Sequence, residues 1–162
     1  MQNPRAEFLP EKPQLPGQKY PGLGIGEMVM EILVIMCGRL RTAGLVNTPE
    51  HFHNAQMYST QFRYLEPLCE GKRHAIERDL LSKYSLSEVS WGIDLECVKE
   101  NGKIFTWPNY DQIIPLDRDL KDYFESKEYQ NHVQKHMEEF HYQMDYKRCV
   151  EKKMKQKDFI TC

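Results

Sequence analysis

From Met28 to Cys37 the chain reads M-V-M-E-I-L-V-I-M-C, hydrophobic everywhere but Glu31. The run is only about ten residues long, against the roughly 20 a bilayer crossing needs, so it predicts a buried helix rather than a membrane span. Arg39 and Arg41 suit the last turns of that helix and Gly44 its stop. Further on, Leu45 and Val46 suggest a very short strand. Thr48-Pro49 offers a cap and a first-turn proline for a helix over 49–61. Phe62 to Leu65 suggests a strand closed by Pro67, and Ile76, Leu80 and Leu81 share one face of a helix over 72–83.

The second half changes period. Val89 to Val98 and Lys103 to Trp107, with Glu100-Asn101-Gly102 between them, predict a β-hairpin. Trp91 and Trp107 would then form a cross-strand or core pair. From about Asp117 to Lys155, Leu120, Phe124, Val133, Met137, Phe140 and Met144 recur mostly at three- and four-residue intervals, which predicts one long helix with a solvated, charged end. Its stripe is too short for a sustained coiled coil, so packing on the body of the domain is expected. Ahead of everything, Pro4, Pro10, Pro13 and Pro16 forbid a helix over 1–17 and favour an extended arm anchored by Phe8, Leu9 and Leu15.

The fold class is therefore α+β, organised as a proline-rich arm (1–17), a helix-and-strand unit (18–83), a hairpin region (84–116) and a long helix with a charged tail (117–162). Composition narrows the function. The chain has 162 residues, enough for a real core, and a formal net charge of −2, which lacks the basic excess of a nucleic-acid binder. The 5 cysteines, Cys37, Cys69, Cys97, Cys149 and Cys162, form no C-x-x-C pair and point to free thiols in a reducing, cytoplasmic setting. The first residues carry no apolar signal core.

The candidate chemistry lies at the head of the apolar helix, in Pro21-Gly22-Leu23-Gly24-Ile25-Gly26. Small residues that open a helix let backbone N–H groups approach a phosphate, and the helix dipole adds to the attraction. Such a turn also occurs for purely conformational reasons. What surrounds it is more telling: the apolar helix, then Ala43-Gly44-Leu45-Val46, His53-Asn54-Ala55-Gln56-Met57-Tyr58 and Phe62-Arg63-Tyr64-Leu65.

Over residues 18–67 this order resembles the coenzyme-A-binding half of the GNAT acyltransferase superfamily, whose signature opens a helix with R-G-x-G-I-G. The resemblance implies that backbone amides from Gly22 through Leu23, Gly24, Ile25 and Gly26 hold the pyrophosphate of acetyl-CoA or another acyl-CoA. Pro21 stands where the signature carries Arg or Gln, and Gln18 and Lys19 just upstream are placed to take over that contact. Asn54 falls on the cofactor side and Tyr58 near the thioester sulfur, as proton donor to the departing thiolate. His53, beside Asn54, is a candidate general base, since an ordinary imidazole titrates near about 6.5. A complete domain of this kind has several strands and helices before the glycine turn, for which 1–17 leaves no room. The resemblance thus implies a truncated, rebuilt or partner-completed unit, acting as an N-acyltransferase if it is active.

Two other functions fit the same residues. The chain could be a non-catalytic interaction module, dimerising or completed by a partner. It could also be a metalloprotein, because His132 and His136 stand four apart on one helical face and His51 and His53 flank Phe52. Without an adjacent glutamate, H-x-x-x-H is common on solvated helices, and no metal site is assigned from it.

Overall fold

A computed structural model describes residues 2–160, with side chains described as far as Lys155. The chain is mixed α+β. Its helices are α1 (Gly26–Leu40), α2 (Phe52–Met57), α3 (Pro67–Ile76), α4 (Leu86–Asp94), α5 (Arg118–Glu125), α6 (Lys127–Glu139) and α7 (Tyr146–Ile160). The strands are β1 (Gly44–Asn47), β2 (Arg63–Tyr64), β3 (Val98–Glu100), β4 (Lys103–Ile104), β5 (Gln112–Pro115) and β6 (Tyr142–Met144). They form two small antiparallel sheets, in the orders β1-β5-β2 and β4-β3-β6. No helix among the described residues is long and apolar enough to cross a membrane.

The hairpin turn is where the sequence puts it, with Asn101 and Gly102 both at positive φ, 47° and 84°, as a tight two-residue connection requires. The strands are shorter than expected, because Leu86–Asp94 is a helix. Ser85 starts it with a capping box: its hydroxyl accepts from the Glu88 N–H, and the Glu88 carboxylate accepts from the Ser85 N–H. Trp91 therefore lies on α4 and makes no pair with Trp107. The Trp91 indole donates to the Gln14 carbonyl at 2.8 Å, pinning the arm, while Trp107 packs edge-on against Phe52 at 5.3 Å. Along the arm Pro16 is buried, whereas Leu9 is exposed.

The single long helix over 117–155 is replaced by three helices and a strand. Ser126, extended at ψ 142°, ends α5 and caps α6 by accepting from the Tyr129 N–H. Phe140 is extended again, and the chain turns into β6, which pairs with β3 as Val98↔Met144 through Glu100↔Tyr142. Arg78 fixes that exit by donating to the Met137 and Phe140 carbonyls at 2.6 and 2.7 Å. The C-terminal segment 146–160 is helical.

One core joins the segments from α2 to β6: Phe52, Ile76, Leu80, Val89, Val98 and Tyr142 pack together. A second cluster, Ile113, Phe124, Tyr129 and Val133, sits under the β1-β5-β2 sheet. There β1 and β2 do not pair with each other; both pair with β5, which contributes Ile113 and Ile114 between them. The Tyr129 hydroxyl donates to the Tyr64 carbonyl at 2.6 Å and ties α6 to β2.

Candidate functional site

The glycine turn lies at the head of α1, and its glycines have different reasons. Gly24 adopts φ 73°, which favours glycine. Around Gly22 and Gly24 there is open space where a side chain would stand. At Gly26 a side-chain carbon would meet the Tyr58 hydroxyl at 2.9 Å. Tyr58, at the C-terminal end of α2, therefore stands beside the start of α1. Ile25, at the N-cap, provides no side-chain cap to the first amides of α1.

Of the other expected cofactor contacts, Gln18 is engaged within the arm. The Gln18 side-chain oxygen accepts from the Leu15 N–H at 3.2 Å, folding it back on the arm. Lys19 is exposed, and its backbone N–H donates to the Gln2 side-chain oxygen at 2.8 Å. Gln2 accepts from the Tyr20 N–H as well and forms a bridge with Gly22, so the arm lies along the turn. Leu23 is exposed, Ile25 half-buried, and Asn54 half-buried within α2.

His53 is buried, 3 % exposed. Burial, with the neighbouring His51, pushes its pKa down to about 4, so it is neutral at physiological pH. Its Nδ1 has no hydrogen-bond partner. The ring stacks on His51 at 5.4 Å, and it is His51 that reaches a cleft, of about 290 Å³. There His51 Nδ1 faces the Asp94 carboxylate at 3.4 Å, with Glu50, Glu96 and Trp107 also on the walls. The nearby Ser90 hydroxyl is spent on the Leu86 carbonyl at 2.7 Å. The cleft is acid-lined, with an oriented imidazole and no hydroxyl bonded to it. Sequence reasoning missed Asp94 because the expected strand would have pointed it elsewhere.

His132 is exposed, and His136 leans on Glu139 at 3.1 Å. Among the described residues no group of three or more His, Cys, Asp or Glu side chains is arranged to hold a metal. Cys37, Cys69, Cys97 and Cys149 are free thiols; Cys162 lies outside the described residues.

The largest departure concerns α1 itself. The sequence predicts a buried helix, yet none of its residues is buried. Val29, Met30, Val34 and Cys37 are half-covered on the inner side. Met28, Ile32, Leu33, Ile35, Met36 and Leu40 are 37 to 72 % exposed. At 100° per residue, Ile35, Met28, Ile32, Met36 and Leu40 form one continuous outer stripe.

Compared with protein-family models, curated proteins and solved structures, the chain matches none.

Proposed function

We propose that this protein is a non-catalytic interaction module whose docking element is α1. One observation carries the reading: a helix of 15 residues, dominated by large apolar side chains, contributes no buried residue to the chain's own core. Full burial of one such side chain is worth about 1.5–3 kcal/mol, so docking the stripe gains several kcal/mol that the isolated chain forgoes. Contiguous exposed apolar surface of this kind marks interaction sites rather than ordinary exterior. The arm and the Tyr58–Gly26 contact then have a structural role, holding the head of α1 against the body. The double variant Ile32→Glu/Met36→Glu tests this through binding of an apolar dye such as bis-ANS to native protein at low concentration. A several-fold loss of fluorescence is expected; undiminished dye binding would place the accessible apolar surface elsewhere and overturn the reading.

A second reading is favoured by the open space around Gly22 and Gly24 at the head of α1. It makes the chain a GNAT-like acyl-CoA-binding protein, with the open turn at Gly22 to Gly24 receiving the diphosphate. A ligand present at about 100 times its Kd adds roughly 2.7 kcal/mol to stability. Acetyl-CoA should then raise the melting temperature by several degrees, and no shift at millimolar ligand removes coenzyme binding.

A further inference from the structure

We infer that the partner of α1 is α1 of a second copy, packed antiparallel about a two-fold axis. The inference rests on the interaction reading above and adds the identity and orientation of the occupant. Charge selects both. The first turns of α1 carry Glu27 and Glu31, and its end carries Arg39 and Arg41. All four are exposed, and among the described residues none has an ion-pair partner. Met28, Ile32, Ile35 and Arg39 follow one another at intervals of four, three and four residues, the spacing of a seam between two helices.

Antiparallel pairing of this seam sets the acidic start of each helix against the basic end of the other, twice by symmetry. It also opposes the two helix dipoles. Parallel pairing would bring glutamates beside glutamates and arginines beside arginines. A lipid surface fits less well, because helices that lie on membranes carry Lys and Arg on the polar face, whereas the polar side of α1 is formed by Glu27, Glu31 and Gly38.

Sedimentation velocity over a micromolar-to-submillimolar range tests this with the wild type, Glu31→Arg, Arg39→Glu and the double swap. All the substituted side chains are exposed, so folding should be unaffected. The wild type is expected to dimerise with rising concentration, each single swap to weaken the dimer by roughly tenfold, and the double swap to restore it to within about threefold. A double swap no better than the singles overturns the antiparallel arrangement. A wild type that stays monomeric overturns the second copy as occupant, and cosedimentation with vesicles of mixed neutral and anionic lipid then separates a membrane from a different protein partner. Neither result touches the module reading, which the dye experiment tests separately.

Discussion

Replacing Glu70 by Leu is expected to lower the unfolding free energy by about 3–5 kcal/mol, the usual consequence of removing one partner of a buried ion pair. Glu70 and Arg73 are 5 % and 4 % exposed on α3. The Arg73 guanidinium donates to one Glu70 carboxylate oxygen from Nε at 3.1 Å and Nη2 at 2.6 Å, and the other oxygen accepts from the Tyr64 N–H at 3.0 Å. Arg73 Nη1 also meets Glu77 at 3.1 Å. The substitution orphans a β2 amide and leaves Arg73 with one carboxylate. Adding Arg73→Met to it should recover a large part of the loss, because an apolar pair of similar volume removes the uncompensated charge. Urea unfolding of the wild type, the two single variants and the double variant reads the cycle.

The same network sets an acid limit. Burial alone would raise the Glu70 pKa, but hydrogen bonds from His74, the Arg73 charge and the Tyr64 amide outweigh it and hold the carboxyl at about 2. Glu77, bonded chiefly to His74, is likewise lowered to about 2. Both therefore stabilise the fold fully above their ordinary value of about 4.5, and that stabilisation is lost as pH falls toward 2. His74 has the opposite sign. Its bonds to Glu70 and Glu77 raise its pKa, so its contribution is present below its ordinary value of 6.5 and fades as pH rises through the raised one. Glu70→Leu should flatten the acid limb of a stability–pH curve.

Gly71→Ala is expected to cost about 1–3 kcal/mol, although alanine in mid-helix normally gains about 1 kcal/mol over glycine. The added carbon would stand 2.6 Å from His136 Cβ, 2.8 Å from the Val133 carbonyl oxygen and 3.0 Å from the Met137 nitrogen. Two of those atoms are backbone, so α6 must shift, and with it Val133 and Tyr129 in the second core cluster. A stabilised variant would mean that α3 and α6 are not in backbone contact.

The fold was readable wherever local chemistry decides it. Asn101-Gly102 marks its turn by the φ values it tolerates, and Ile76, Leu80 and Leu81 declare a buried face, although the helix expected over 72–83 is the end of α3 followed by a π-helical turn, Glu77–Leu81. Val89, Trp91 and Ile93 misled because they alternate like a strand; the decisive signal was Ser85 with Glu88, a cap three residues apart. Ser126 acted in the same way inside the expected long helix, and the nine-residue gap from Phe124 to Val133 marked the break. β5 was illegible because Gln-Ile-Ile-Pro is short and its partners, β1 and β2, lie far back in the chain. Of the candidate site, the glycine turn at the head of α1 was legible, because Gly24 needs its positive φ. The burial of His53 and the pairing of His51 with Asp94 were not, since both depend on how α2 meets α4. The exposure of α1 was hidden for a more general reason: hydrophobicity shows that a helix needs covering, not whether its own chain covers it.

That distinction is tested most directly by the urea unfolding of Ile32→Glu/Met36→Glu at concentrations where the chain is monomeric. Two charges placed on a helix that serves no internal core should shift the unfolding free energy by no more than about 0.5 kcal/mol each, as for surface substitutions. A loss above about 3 kcal/mol, the scale of a damaged core, would show that α1 belongs to the interior of its own chain and would contradict the docking account.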